Sequence, residues 1–503
     1  MDPLTRLALV GTARQGDPPA DLPPVASAIL TKLAELPLER RILLAGGARA
    51  AAAMAGHLSG DHKASVNVSP PETLSPCSPK AARLIGDMLQ GHHEELLAEA
   101  FGLLARARRR LPHAMLPSAL RLRGEENRAA ARAVLGERGA WLARMNDSWS
   151  WAAGASTTAS IEELAKAWED SSPVQRRAIF ARARGVDAAR ARGWLETTWA
   201  SEKADEREAL LALLSEGLGM EDEAFVEAQL RDRAAGVRVA AQALLARLPE
   251  SAYVRRMTER ADAMIDWKGG LDVRPPDGVD DAAERDGILR KPPAGVGAKE
   301  YWLVACLGPV PPSHWCTRFG AKHEELVLAA ASSDWGAAVC EGWTRAALLR
   351  RDATWLLALW GYWQRADEKS VPRVAGELLV PILACLPPAL ATSCVEPLFE
   401  NGKTRVELAT ALAALPTPWP SAIGDRFVKH LREELRSPTP GALRSLASLA
   451  LLRKAALALP PACFEACLAP IDVRDTMVGW PRAVADFSDL IRLRYDLVQE
   501  IVP

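Results

Sequence analysis

The stretch DRAAGVRVAAQALLARLP, Asp232 to Pro249, decides the fold. Ala241, Leu244, Leu245 and Leu248 fall at i, i+3, i+4 and i+7, so they share one face of a short helix. Thirty-one residues earlier, in DEREALLALLSEGLG, Leu210, Leu213 and Leu214 stand at the matching places. A further thirty-two back, in SPVQRRAIFARARG, Ala178 and Ala181 occupy them. The intervening helices repeat too. WLETTW (Trp194–Trp199) lies over FVEAQL (Phe225–Leu230) at a spacing of 31, pairing Trp194 with Phe225, Leu195 with Val226 and Trp199 with Leu230. AYVRRM follows AFVEAQ at 28. A period of this size built from two short helices predicts a stacked helical array. One pair of short helices cannot hide its own apolar stripe, whereas a row of pairs shares a continuous core.

The punctuation agrees. Ser172-Pro173 followed by Gln175 has the form of a capping box with proline in the first turn. Gly185, Gly217 and Gly219 are placed to stop helices, and Pro249 follows the last apolar position. The segment is similar to HEAT repeats, whose second helices often begin D-x-x-x-x-V-R. Asp232 and Arg238 match that pattern. The likeness implies that Asp232 caps its helix and pairs with an arginine of the neighbouring repeat, a structural role for both residues.

Outward from this centre the expected organisation has four parts. Residues 1–80 hold a short lead-in and a proline-rich loop region that includes SPPETLSPCSPK (Ser69–Lys80). Residues 81–265 form a helical domain with repeats clearest over 172–265. The stretch 266–300, rich in Pro, Gly and Asp, reads as a linker without apolar period. Residues 301–503 return to helices such as ATWLLALWGYWQR and DRFVKHLREELR. No β-hairpin or β-α-β alternation is evident. The expected fold is all-α, a HEAT-like solenoid in two halves joined by a long Pro/Gly/Asp-rich loop.

The 503 residues carry 62 basic and 63 acidic side chains, so no global field draws the chain toward nucleic acid or an anionic membrane. None of the eight cysteines forms a C-x-x-C pair, as expected of a reducing compartment. MDPLTRLALVGTARQG has an apolar run too short for a signal peptide. LLVPILACLPPALATSCV (Leu378–Val395) is interrupted by three prolines and falls short of a bilayer span. The expectation is a soluble, cytoplasmic protein.

A search for chemistry finds no phosphate-binding G-x-x-x-x-G-K-[ST] loop, no G-x-G-x-x-G after a strand and no G-x-S-x-G elbow. HEELL at His93 and HEELV at His323 begin like a metalloprotease helix, but Leu97 and Val327 stand where the second histidine is required. Asp277, Asp280 and Asp281 lack the alternating ligands of a calcium loop. No catalytic residue, metal ligand or cofactor is therefore expected. Arg106, Arg108, Arg109 and Arg110 form the sharpest basic cluster, a candidate basic patch that a helix C-terminus also explains. Trp141, Asn146 and Trp149 make a local knot near a helix end, with Asn146 a candidate C-cap. Trp302, Trp315, Trp335, Trp343, Trp355, Trp360 and Trp363 read mainly as core. Arg274 and Asp286 stand apart in a loop too long for a connector, as partner-binding or loop-anchoring candidates.

Five phrases go beyond generic helix: LALVGTARQ (Leu7–Gln15), CSPKAARLI (Cys77–Ile85), LGERGAWLARMNDSWSWA (Leu135–Ala152), RPPDGVDDAAERDGI (Arg274–Ile288) and SDWGAAVCEGW (Ser333–Trp343). In this order they resemble the recurring blocks of an uncharacterised bacterial α-helical family. The resemblance implies a gene neighbourhood of MoxR-type AAA ATPases, von Willebrand A-type proteins and SWIM-type zinc-finger proteins, and it implies no catalytic residues. The leading functional expectation is a protein-interaction scaffold serving such an ATPase and von Willebrand A-type system in bacterial stress or conflict response. The alternatives are a helical-repeat protein that binds nucleic acid, and an enzyme with a dispersed site.

Overall fold

A computed structural model describes residues 24–55, 68–153, 160–169, 171–365, 374–400, 408–436, 446–470 and 479–502. The lead-in over residues 1–16, with its LALVGTARQ block, lies outside the described residues. The chain is all-α in character, with two short strand pairs among the described residues.

It divides into two compact units, Met1–Ser69 and Pro70–Pro503. In the first, helices Pro24–Lys32 and Leu38–Ala55 pack on each other around Leu30, Ile42 and Ala45. Arg41 Nη1 donates to the Leu30 carbonyl at 3.1 Å.

In the second unit, buried residues from Cys77 to Ile501 form one connected apolar core. The repeat region builds it as the spacing demands. Helices Pro173–Val186, Ala204–Leu213 and Ala235–Ala246 pack each on the next. Leu210, Leu214, Ala241, Leu244, Leu245 and Leu248 are buried, as are Leu195, Val226 and Val254 on the alternating helices. The first of the three helices differs from expectation. Ala178 is exposed and Ala181 half-buried, whereas Phe180, Ala183 and Arg184 are buried. Arg184 takes the core position that Leu214 and Leu245 hold in the next two repeats, at spacings of 30 and 31. A leucine pattern does not find a repeat whose core residue is an arginine.

That arginine is accommodated because its hydrogen-bonding groups are matched. Its two Nη atoms lie 3.1 and 2.8 Å from the Asp222 carboxylate oxygens, and it also donates to the carbonyls of Leu214, Glu216 and Gly217. Arg192 approaches the same carboxylate at 3.0 Å. Similar ties recur along the row. Arg177 pairs with Glu206, Arg207 with Asp232, and Arg256 with Glu227, at sequence separations of 29, 25 and 29. Each crosses from one pair of helices to the next.

The stretch 266–300 was expected as a linker between two halves. Both of its flanks lie in the same compact unit, and helix Ala252–Met264 packs directly on helix Ala298–Leu307. The stretch also opens with a feature absent from the expectation, an antiparallel hairpin of Ile265–Trp267 with Leu271–Val273. Gly269, at φ +75°, makes its turn. Three-residue strands carrying Asp266 and Asp272 are too short to display apolar alternation, although the Gly-Gly turn signal is present in the sequence.

Beyond it, helix Ala298–Leu307 packs on Gly336–Arg350, and then Val374–Cys385, Leu408–Ala414, Leu446–Ala458 and Trp480–Ile501 follow, each against its predecessor. Trp302, Trp315, Trp343, Trp355, Trp360 and Trp363 are buried here, and Trp335 is half-buried. Gly342 permits one close crossing, since a Cβ there would sit 2.5 Å from the Leu307 Cβ.

The last helix returns to the start of the unit, packing against Pro79–Leu89 and Leu97–Arg106. Arg494, 3% exposed, makes the decisive contact. Its Nε and Nη2 reach the two Glu99 oxygens at 2.7 Å each, and its Nη1 donates to the carbonyls of Ala456 and Leu459 at 2.6 and 2.9 Å. The guanidinium lies 4.8 Å from the centre of the Phe464 ring. Ser78 and Lys80 both engage Glu500 at the same seam.

Residues 70–80, expected as surface loop, are tied down as well. The Glu72 carboxylate accepts from the backbone N–H of Glu137 at 2.9 Å and of Arg138 at 3.2 Å, at the start of helix Gly136–Arg144. His113 Nε2 lies 2.9 Å away. Burial works to raise the Glu72 pKa, but the bonds from His113 and the two amides outweigh it and hold the group below its ordinary value.

Two outcomes follow from these ties. Removing the guanidinium in Arg494→Leu leaves Glu99 and two carbonyls without their donor, and is expected to lower the stability read by urea unfolding by about 3 kcal/mol. For Asp232, burial acts to raise the pKa but is outweighed by the bonds from Arg207 and the Ala234 amide, so the folded value lies below the ordinary 3.8. A depressed folded pKa means that the pair's stabilisation is present above the unfolded value and is lost as pH falls through the folded one. Thermal unfolding from pH 6 down to pH 2 should therefore show a steep acid loss starting near pH 4, with a smaller share of it remaining in Asp232→Asn.

Candidate partner-binding cleft

The sequence RRMTER places Arg256 and Arg260 one turn apart on helix Ala252–Met264, so both face the same neighbour. That neighbour is the loop beyond the hairpin. Asp280 accepts from the Ala283 amide at 2.6 Å and starts a short helix, Asp281–Arg285. The chain then turns inward at Asp286, which is 3% exposed. Arg256 reaches its two oxygens at 3.0 and 2.7 Å, and Arg260 lies 2.7 Å from one of them. Gly287 is required directly after it. Its φ is +96°, and a Cβ would come within 2.3 Å of the Gln242 amide nitrogen. Ile288 is buried, and the Trp302 indole N–H donates to the Leu289 carbonyl at 3.0 Å.

Between this loop and the helices Ala252–Met264 and Ala298–Leu307 lies a cleft of about 300 Å³. Met264, Ile288, Trp302 and Cys306 provide apolar walls, and Arg260, Arg274 and Asp280 also line it. Arg274 is held by Asp272, whose pKa is lowered by Arg274 and then by Lys268. Asp286 holds Arg256 still more firmly in its charged form. Burial pushes the Cys306 thiol up to about 12, so it stays protonated near neutral pH. Burial also raises Tyr253. The cleft thus joins an apolar floor to charges that are already paired, Arg260 with Asp286 and Arg274 with Asp272.

Arg274 and Asp286, singled out from sequence, thus belong to the same loop but do not bond each other. Asp286 anchors and Arg274 lines the cleft. The arginine partners of Asp286 were missed, although their spacing of four was a readable signal. Asp232 accepts from the Ala234 amide at 2.8 Å and from Arg207 at 3.0 Å through each oxygen, and Arg238 donates to the carbonyls of Asp232 and Arg233 at 2.8 and 3.1 Å.

The other candidates lie elsewhere. Asn146 is not a C-cap: it starts the 3-10 turn Asp147–Ala152, accepting from the Ser148 amide at 3.0 Å. The preceding helix had already ended at Arg144, with Met145 in the capping position. Trp141 and Trp149 are half-buried. The arginine cluster does not form one patch. Arg106, Arg108 and Arg109 are exposed, but Arg110 turns inward, donating to the carbonyls of Leu74 and Leu111 at 2.9 Å each and approaching Glu72 at 3.5 Å. A short parallel pairing of Ser75–Pro76 with Arg109–Arg110 fixes that direction. Of the linker acids, Asp277 pairs with Lys299 and Asp281 with Arg290. Among the described residues no group of three or more His, Cys, Asp or Glu is placed to hold a metal ion. Among them, no helix is long and apolar enough to cross a membrane.

Comparison with known proteins gives one result of weight. The chain matches the Family of unknown function (DUF5691) over residues 3–501. It belongs to that family. As the resemblance read from the five sequence blocks implies, the family is an uncharacterised one and its match covers nearly the whole chain. No curated protein matches the chain. Within the family chain described here, the block RPPDGVDDAAERDGI is the segment that walls the cleft and supplies Arg274 and Asp286.

Asp286→Asn removes the charge that two arginines converge on. Hydrogen exchange should quicken over residues 274–290 more than in the repeat helices, with a global loss of about 3 kcal/mol by urea unfolding. Unchanged exchange in that loop would show that the carboxylate does not anchor it.

Proposed function

We propose that the protein is a non-enzymatic interaction scaffold, a HEAT-like helical array whose outer surface docks another protein. The observation that supports this most directly is the row of short helices cross-tied at separations of 25 to 38 residues by Arg207–Asp232, Arg177–Glu206 and Arg184–Asp222. Such a row is stable because each unit leans on the next, and it presents an extended surface suited to macromolecular partners. The period near 31 residues and the D-x-x-x-x-V-R segment favour the HEAT-like reading. The cleft beside Arg274 adds a place where a partner group is held without being transformed.

The partner favoured by the sequence resemblance is a MoxR-type AAA ATPase or its von Willebrand A-type companion, acting with this protein in the cytoplasm in bacterial stress or conflict response. Affinity capture of the chromosomally tagged protein from its own host, followed by mass spectrometry, should recover one of these. The purified pair should then co-sediment at micromolar concentration. Recovery of no protein partner, or failure of the purified components to associate with and without nucleotide, overturns the scaffold reading.

A further inference from the structure

A second cavity, of about 300 Å³, lies at the seam where the last helix meets the start of its unit. One wall is built from Cys77 and Ala81, at the opening of helix Pro79–Leu89, and from Leu104 and Ala107, at the close of helix Leu97–Arg106. Glu500 and Ile501, at the end of helix Trp480–Ile501, build the other. Ala81, Leu104 and Ile501 are buried, so the lining between the walls is largely apolar.

Two charged side chains line this cavity, and they differ. Glu500 is matched: Ser78 Oγ donates to its carboxylate, and Lys80 Nζ lies 3.6 Å from its other oxygen. Arg109 is not. Its strand neighbour Arg110 turns inward to Glu72 and the Leu74 carbonyl, and successive strand residues face opposite ways, which leaves Arg109 on the side of the seam. Among the described residues no carboxylate pairs with it. These features select a ligand class. A cation would meet an uncompensated guanidinium. A zwitterion would need a carboxylate that Ser78 and Lys80 already hold. A bare inorganic anion would leave the apolar walls uncovered, and a volume at the lower end of ligand pockets, roughly 300–1,000 Å³, calls for a compact molecule. One carboxylate on an apolar body meets every condition: a planar carboxylate accepts two parallel bonds from a guanidinium, and the body leaves water against Leu104 and Ile501.

We propose that the seam cavity binds a small amphipathic monocarboxylate, its carboxylate on Arg109 and its apolar body against Leu104, Ala107 and Ile501. Such a ligand touches both walls, so it binds only while the last helix is docked. By mass action it strengthens the closure that Arg494 and Glu99 make. The site is independent of the scaffold reading, and either stands or falls alone.

The test uses the full chain with hexanoate as the probe, read by isothermal titration calorimetry. Saturable one-to-one binding is expected, at least about tenfold weaker for hexanamide, which lacks the charge, and for acetate, which lacks the chain. Arg109→Gln, at an exposed position, should weaken hexanoate by about tenfold or more, with circular dichroism and thermal midpoint unchanged. Ala107→Leu, which fills the cavity from its wall, should weaken it to a similar extent. Hydrogen exchange over residues 480–501 should slow when hexanoate is added, more than in the repeat helices, and should not slow in Arg109→Gln. No saturable binding, equal affinity for hexanamide, or affinity unchanged in Arg109→Gln or in Ala107→Leu overturns the site. Equal binding of acetate or inorganic phosphate also overturns it, since that marks a bare anion resting on Arg109. Binding of hexanoate without slower exchange in the last helix overturns its coupling to closure.

Discussion

The structure depends on carboxylate–guanidinium pairs that cross from one pair of short helices to the next. Helices of ten to fourteen residues, such as Ala204–Leu213 and Pro173–Val186, are marginal alone. Their apolar faces supply the bulk of the driving force, but an apolar face is tolerant of sliding. A bidentate pair is not. Arg207 meets Asp232 through two nitrogens and two oxygens, which fixes both the distance and the rotation of the neighbouring units. Burying such charges is costly, and the cost is offset only where the remaining donors are also matched. Arg184 shows the condition fulfilled, with carbonyls of the next unit accepting what Asp222 does not. The pairs therefore contribute register more than net stability, and an array without them would have many near-equivalent stackings.

The same device closes the unit and builds the cleft. Arg494 joins the last helix to Glu99 near the beginning, a separation of 395 residues, by the same two-pronged geometry. Asp286 joins an otherwise irregular loop to helix Ala252–Met264 with two arginines rather than one. In each case a segment that lacks repeat neighbours is held by a charge pair and shielded by apolar residues around it: Phe464 at the seam, Ile288 in the loop.

What was legible in the sequence followed from periodicity. The 31-residue spacing placed Leu210, Leu214, Ala241 and Leu245 in the core, and the tryptophan-rich stretch was read as largely interior, because apolar burial leaves a repeating trace. What was illegible broke that trace. Arg184 fills a leucine position, so the leucine spacing places the first helix two residues out of register, through Ala178 and Ala181. The hairpin at Ile265–Val273 is too short for alternation to emerge. Arg110 was grouped with Arg106, Arg108 and Arg109 by adjacency, while its direction is set by a strand pairing with a segment 34 residues away. In the cleft, Arg274 and Asp286 were found from the unusual loop that holds them. Arg256 and Arg260 share a helix face by their spacing of four, but nothing in that spacing names Asp286 as their partner, and Trp302 reads as ordinary core.

These distinctions bear on how the irregular loop differs from the helices around it. The helices here turn Arg177, Arg184 and Arg207 onto carboxylates of the next pair, while Arg182, Arg231 and Arg233 stay exposed. The loop at residues 274–300 is different: it interrupts the 31-residue spacing, yet Asp286 and the Leu289 carbonyl tie it to the helices on either side. A loop that must be ordered on binding loses affinity to that ordering, by roughly 0.5–1.5 kcal/mol for each immobilised side chain. Here Asp286, Gly287 and Trp302 have fixed the backbone beforehand, leaving Arg274 and Leu289 exposed at its edge. A surface made only of equivalent units would accept one ligand in several registers, so under the proposed scaffold reading this irregular loop is where a single register is set.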